Sequence, residues 1–142
     1  MTTKRALGLA LVAGLTTAGC MMGPQKTAQP LKSSPSMPGA EGVVTATKGA
    51  NGNTTLVIRV KHLAPASKVA GDATVYVVWV EPVGGSPQNV GVLAVDSDLQ
   101  GTLTTITPHS SFRVLITPEP SGQMDSPSHD EVFSSDVERP NT

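Results

Sequence analysis

The 142-residue chain sets ten Lys and Arg against eleven Asp and Glu, a formal net charge of −1, and has a single cysteine, Cys20. So even a balance is too mild to imply a nucleic-acid partner, and one cysteine excludes an internal disulfide framework. The length suits one domain around one core.

In chain order, Lys4-Arg5 comes first, then an apolar stretch over 6–15, the small-residue run Thr16-Thr17-Ala18-Gly19, and Cys20. This resembles a bacterial lipoprotein signal, in which cleavage before the cysteine needs small side chains at Ala18 and Gly19 and the thiol carries the lipid. The resemblance implies a signal peptide over 1–19 and lipid attachment at Cys20, with Thr17 standing where such signals usually have Leu. Two other readings compete. A transmembrane anchor would need roughly 20 apolar residues, more than this glycine-interrupted stretch supplies. An ordinary secretory signal cut after Ala18 suits the Thr16-x-Ala18 pattern but leaves an exported chain with a free reactive thiol. Met21 rather than Asp follows the cysteine, which points to the outer membrane if the cell is Gram-negative.

Residues 20–41 hold Pro24, Pro30, Pro35 and Pro38 among Ser33, Ser34, Ser36 and Gly39, with no apolar period. They are expected to form a lipidated, disordered tether, reaching roughly 60 Å in polyproline form or about 25 Å as a coil. Lys26 and Lys32 could touch anionic lipid, although at about 1 kcal/mol each they add little to an acyl anchor. Loss of Lys4 and Arg5 with the signal takes the net charge from −1 to −3. The distribution says more than the sum. Between Met21 and Gly71, Lys26, Lys32, Lys48, Arg59, Lys61 and Lys68 face one acid, Glu41, whereas the remaining acids lie beyond with only Arg113 and Arg139. Such asymmetry makes either a polar interaction surface or, more simply, the ordinary solvated charge of strands and loops.

From residue 42 to 139 the pattern is short β-rich runs between turn signals, without helical periodicity, and it predicts an all-β domain: a single immunoglobulin-like β-sandwich of about seven strands. The first strand is 43–47, and Gly49-Ala50-Asn51-Gly52-Asn53 supplies a tight turn. The run 55–61 alternates, with Leu56, Ile58 and Val60 toward a core and Thr55, Arg59 and Lys61 toward water. The run 74–80, apolar on both parities and containing Tyr76 and Trp79, reads as the central strand. The link 63–73 is long enough to cross from one sheet to another. Further strands are predicted at 89–95, 102–106 and 112–117, and a last short one near Val132-Phe133.

Around Tyr76-Val77-Val78-Trp79-Val80, Gly84-Gly85, Val90-Gly91-Val92-Leu93 and the run from Phe112 to Gly122, the chain resembles the extracytoplasmic C-terminal domain of the anti-sigma-K factor family over residues 73–122. The resemblance, which lies in strand order and turn placement, implies an immunoglobulin-like sandwich outside the cytoplasmic membrane. That family also carries a cytoplasmic sigma-binding domain and a transmembrane helix, neither of which is read here. Sigma-factor inhibition is therefore not carried over, and no catalytic residue transfers.

Motifs for chemistry are sparse. Asp96-Ser97-Asp98-Leu99-Gln100-Gly101 begins like a calcium loop, but position five is Gln100 and position twelve Thr107, so a hairpin turn is the simpler reading. His62, His109 and His129 lack metal-pair spacing and read as solvated or capping histidines. His129-Asp130-Glu131, with Asp125 nearby, reads as a mobile acidic segment. No Gly-x-Ser-x-Gly elbow or phosphate loop is present. Tyr76, Trp79 and Phe112 occupy core-like positions rather than a carbohydrate platform.

The sequence therefore predicts a lipid-anchored cell-envelope β-sandwich, outside the cytoplasm, that acts as a structural or protein-binding module and is not an enzyme. Its expected partners are a membrane, through a lipid on Cys20, and another envelope protein, with no nucleic acid. No catalytic residue, metal ligand or cofactor is assigned. The alternative is a metal-binding accessory or an enzyme whose site is assembled from separated loops.

Overall fold

The structure, a computed structural model, describes residues 25–141 together with Gly14, Gly19 and Gly23. Cys20 and most of the expected signal peptide lie outside the described residues.

The described chain is nearly all β. Its strands are β1 (Lys26–Ser33), β2 (Glu41–Lys48), β3 (Thr54–Lys61), β4 (Val75–Pro82), β5 (Gln88–Leu93), β6 (Gly101–Thr107), β7 (Ser111–Glu119) and β8 (Phe133–Glu138). A single helical turn, α1 (Ala66–Val69), lies in the link between β3 and β4, a helix that the strand pattern did not announce. Every ladder is antiparallel, and the strands join in the order β5-β4-β7-β8-β1-β2-β3-β6. The result is one eight-stranded sheet nearly closed into a barrel, where the sequence suggested about seven strands in two sheets.

Closure is incomplete at two seams. β1 pairs with β2 from Lys26 to Leu31 but meets β8 only at Lys32 and Ser33, opposite Ser134 and Phe133. β5 and β6 form the two ends of the strand order. They are held by Thr105 Oγ1, which donates to the Val90 carbonyl at 3.0 Å, and by Leu103, whose side chain packs on Gly91. Gly91 has φ +143° where β5 slips register against β4, a backbone conformation that glycine adopts without strain.

All seven predicted strands are present, and the additional one overturns part of the expected tether. β1 occupies residues 26–33 of the stretch read as disordered. Its ladder is built from main chain, and only Leu31 among its side chains is buried, at 6% exposure, so it leaves almost no hydropathy signal. β1 thus begins six residues after Cys20 in the sequence.

The interior follows strand parity. Val44 and Ala46 of β2, Leu56, Ile58 and Val60 of β3, Tyr76, Val78 and Val80 of β4, Phe112, Val114 and Ile116 of β7, and Phe133 and Val137 of β8 share one core. Each large side chain so buried contributes about 1.5–3 kcal/mol. The Tyr76 hydroxyl donates to the Ala64 carbonyl at 2.5 Å, tying the β3–β4 link to the core, and burial pushes its pKa up to about 12.

Alternating strand direction sorts the connections to opposite ends. The start of β1, the short turns 49–53, 83–87 and 108–110, and the end of β8 lie at one end. The longer connections 34–40, 62–74, 94–100 and 120–132 lie at the other.

Candidate functional site

The most connected polar cluster forms on the outer face of β4 and β7, where the connection 120–132 folds back over the sheet. Both parities of β4 are apolar because both faces are covered. Val77 and Trp79, with Leu115 of β7, form a second buried cluster that Val75 and Met124 flank, separate from the main core. Trp79, expected at the centre of the core, is fully buried but faces this outer cluster.

A chain of hydrogen bonds leads from Trp79 to the surface. Trp79 Nε1 donates to Thr117 Oγ1 at 2.8 Å, and Thr117 Oγ1 donates to Glu119 Oε1 at 2.7 Å. The same carboxylate oxygen accepts the Ser128 backbone N–H at 2.9 Å, and the Ser128 hydroxyl donates to Glu119 Oε2. Beyond it, His129 Nδ1 lies 3.0 Å from Ser128 Oγ and 3.8 Å from Glu119 Oε2, while Nε2 lies 2.9 Å from Asp72 Oδ1 in the β3–β4 link.

Glu119 is fully buried. Burial by itself raises a carboxyl pKa, yet the hydrogen bonds from the Ser128 hydroxyl, Thr117 and the Ser128 N–H, together with nearby His129, outweigh it and hold Glu119 below its usual value. The group is therefore a buried carboxylate satisfied by donors from the strand and the covering loop.

Other contacts fasten the same loop. Asn89 Nδ2 donates to the carbonyls of Gly122 and Met124, at 2.9 and 3.1 Å. Thr74 Oγ1 donates to the Pro120 carbonyl at 2.9 Å, and Arg113 pairs with Glu131 at 2.7 Å. Gly122 fits against β5 because a Cβ there would stand 2.5 Å from Val92 Cγ2. The segment read as mobile and acidic is thus tied down: His129 and Glu131 each have a partner, and Asp130 is exposed. The arrangement was missed because its donors and acceptors come from four segments: the β3–β4 link, β4, β7 and the connection 120–132. One signal was present: Thr117 and Glu119 share strand parity with Leu115, which marks a polar pair on a face that is otherwise apolar.

The remaining sequence candidates are dispersed. In the Asp96 turn, Asp96 Oδ1 accepts the N–H groups of Asp98 and Gln100, at 2.9 and 3.0 Å, so that oxygen shapes a turn in which Leu99 has φ +61°. Among the described residues, no three His, Cys, Asp or Glu side chains gather as a metal site. His109 Nε2 lies 3.2 Å from Gln88 Oε1, and His62 is exposed with φ +56°. Cys20, the predicted lipid attachment residue, lies outside the described residues.

A cavity of about 900 Å³ opens where β1 and β8 diverge; Thr27, Gln29, Glu81, Phe112, Asp136 and Arg139 are among its lining residues. The C-terminal segment borders it: Arg139 Nη1 donates to the Gly52 carbonyl, and Lys48 Nζ donates to the Asn141 carbonyl at 3.2 Å. Its polar lining carries both signs of charge, and no buried hydroxyl or imidazole converges on it.

Among the described residues, no helix is long and apolar enough to cross a membrane. Comparison with known proteins finds no family model, no curated relative and no solved structure that matches the chain.

Proposed function

We propose that the chain is a lipid-anchored cell-envelope domain, attached through Cys20, that works by contact as a structural or protein-binding module. The observation that carries this reading is the polarity of the barrel. β1 starts six residues after Cys20, at the end with the short turns, while the longer connections gather at the opposite end. An acyl chain on Cys20 would hold the domain close to a membrane and leave those longer connections free to meet another envelope component.

At the finer level we read the barrel as an immunoglobulin-like sandwich, in keeping with the resemblance to the extracytoplasmic domain of anti-sigma-K factors. What supports this is that β1-β2-β3-β6 and β8-β7-β4-β5 form two halves around one core, with β1 bridging them at a seam.

One observation favours a loop-assembled metal or catalytic site instead: Asp72, Glu119, Ser128 and His129 meet from separate segments. A nucleophilic serine, however, needs a hydroxyl proton aimed at its base, and the Ser128 hydroxyl donates to Glu119. The two ring nitrogens of His129 face opposite partners rather than one shared ligand point. Fastening the loop accounts for each of these contacts.

The test is membrane fractionation and mass spectrometry of the chain and its Cys20→Ser variant. Membrane association with a lipid adduct on Cys20, lost in the variant, is the expected result; equal retention without an adduct overturns the reading. Crosslinking in intact envelopes then identifies the contact partner.

A further inference from the structure

The outer face of β1-β2-β3-β6 differs from the rest of the surface. Lys26 and Lys32 of β1 and Arg59 and Lys61 of β3 are all exposed there, and strand parity directs them outward. The only acid on these strands is Glu41, opposite Lys61. Among the described residues, none of the four cations takes part in an ion pair. Between them lie exposed Ala28, Pro30 and Val43 and half-buried Thr45 and Val57, a shallow surface that no loop among the described residues covers. Elsewhere the charge is mixed: Glu81, Asp136 and Glu138 line the cleft between β1 and β8 beside Arg113 and Arg139, and Asp125, Asp130 and Glu131 lie in the loop covering β4 and β7.

We propose that the basic face of β1-β2-β3-β6 rests on an anionic lipid surface. The proposal deepens the anchored reading and rests on it. Lys26, the first residue of β1, lies on this face and follows Cys20 by six residues, so a lipid on Cys20 brings the edge of the face to the bilayer. Lying flat, the domain sets all four cations against lipid phosphates, which attract basic side chains within a Debye length. Standing on the end with the short turns would instead present Glu81, Asp136 and Glu138 together with Lys48 and Arg139, an end of mixed charge, whereas the flat face carries four cations and one acid. The charge pattern therefore selects the flat orientation, with the acidic loops turned away.

The experiment couples the full chain, through Cys20 as its only thiol, to a maleimide-bearing lipid in vesicles, so it does not depend on lipidation in the cell. Each lysine is acetylated and quantified by mass spectrometry on phosphatidylcholine vesicles and on vesicles with about one-third phosphatidylglycerol. Lys68, in α1 against β4 and β7, is the internal reference. Lys26, Lys32 and Lys61 should react about fivefold more slowly on the anionic vesicles, with Lys68 unchanged. The protection should vanish in roughly 0.5 M salt, where the Debye length falls to about 4 Å. The Lys32→Glu/Lys61→Glu variant, altered only at exposed positions, should lose the protection of Lys26. Equal rates on both vesicles overturn the proposal. So does protection that grows with protein concentration without vesicles, which assigns the face to the acidic loop of a second copy. If the coupled chain is protected as expected while Cys20 from cells carries no lipid, the anchored reading fails and the affinity of this face for lipid stands.

Discussion

The barrel has two outer faces made of the same kind of antiparallel strand, and they meet opposite fates. On β4 and β7, Val77, Trp79 and Leu115 are buried beneath the connection 120–132. On β2 and β6, Val43 and Ile106 are left 45% and 60% exposed among threonines and cations. The contrast shows what apolarity on both parities means here. It marks a strand whose second face is covered, and the cover is an irregular loop secured by polar contacts rather than another layer of secondary structure. The alternating pattern of β3 marks a face left to water.

The comparison breaks most readily at Trp79. Replacing a buried aromatic with alanine removes its transfer free energy and leaves a cavity, a combined loss of about 3–5 kcal/mol. Trp79→Ala also strands Thr117 Oγ1 without the indole donor. Equilibrium urea unfolding should show that loss, and hydrogen exchange should show residues 120–131 opening in step with it. A Trp79→Ala protein of unchanged stability would mean that the loop does not act as a cover.

Glu119 sharpens the same contrast by a smaller amount. Glu119→Gln keeps the size but sets an amide where the carboxylate accepts from Thr117 and twice from Ser128, and the loss should be about 2–3 kcal/mol. The pH dependence has a definite sign. Because the folded carboxyl sits below its ordinary value of 4.5, its contribution is complete above that value and is lost as pH falls through the lower folded pKa. Unfolding free energy measured from neutral pH into that acid range should fall more steeply for the parent than for Glu119→Gln. Parallel curves would remove Glu119 from the fastening of the loop.

How much of this was legible in the sequence follows from what each element asks of its residues. β2, β3, β4, β7 and β8 announced themselves because each buries more than one apolar side chain on at least one face, and that requirement writes a period of two or an unbroken apolar run; β5 and β6 bury little and were marked by their β-branched residues between turn signals. β1 asks for little beyond main-chain pairing and Leu31, so Pro30 and its neighbouring polar residues gave it the look of a linker. The loop over Trp79 was illegible for a different reason. Asp72, Asn89 and Arg113 reach it from distant parts of the chain, and no local spacing records such a meeting. Trp79 held the clue, since a large apolar residue at the opposite parity from Tyr76, Val78 and Val80 needed a cover of its own.

The smallest effect is expected on the bare face. Ile106→Thr and Val43→Thr keep a β-branched side chain, which suits a strand, and each removes apolar surface that already meets water. Each should change stability by no more than about 0.5 kcal/mol, as surface substitutions usually do. The measurement is equilibrium unfolding at several protein concentrations, because a copy bound to this face would make stability rise with concentration. A loss well above that bound, appearing only at high concentration, would show that the face is covered in solution by a second chain. A concentration-independent loss of the same size would show instead that these side chains are packed within the barrel itself, and the distinction between a covered and a bare face would fall.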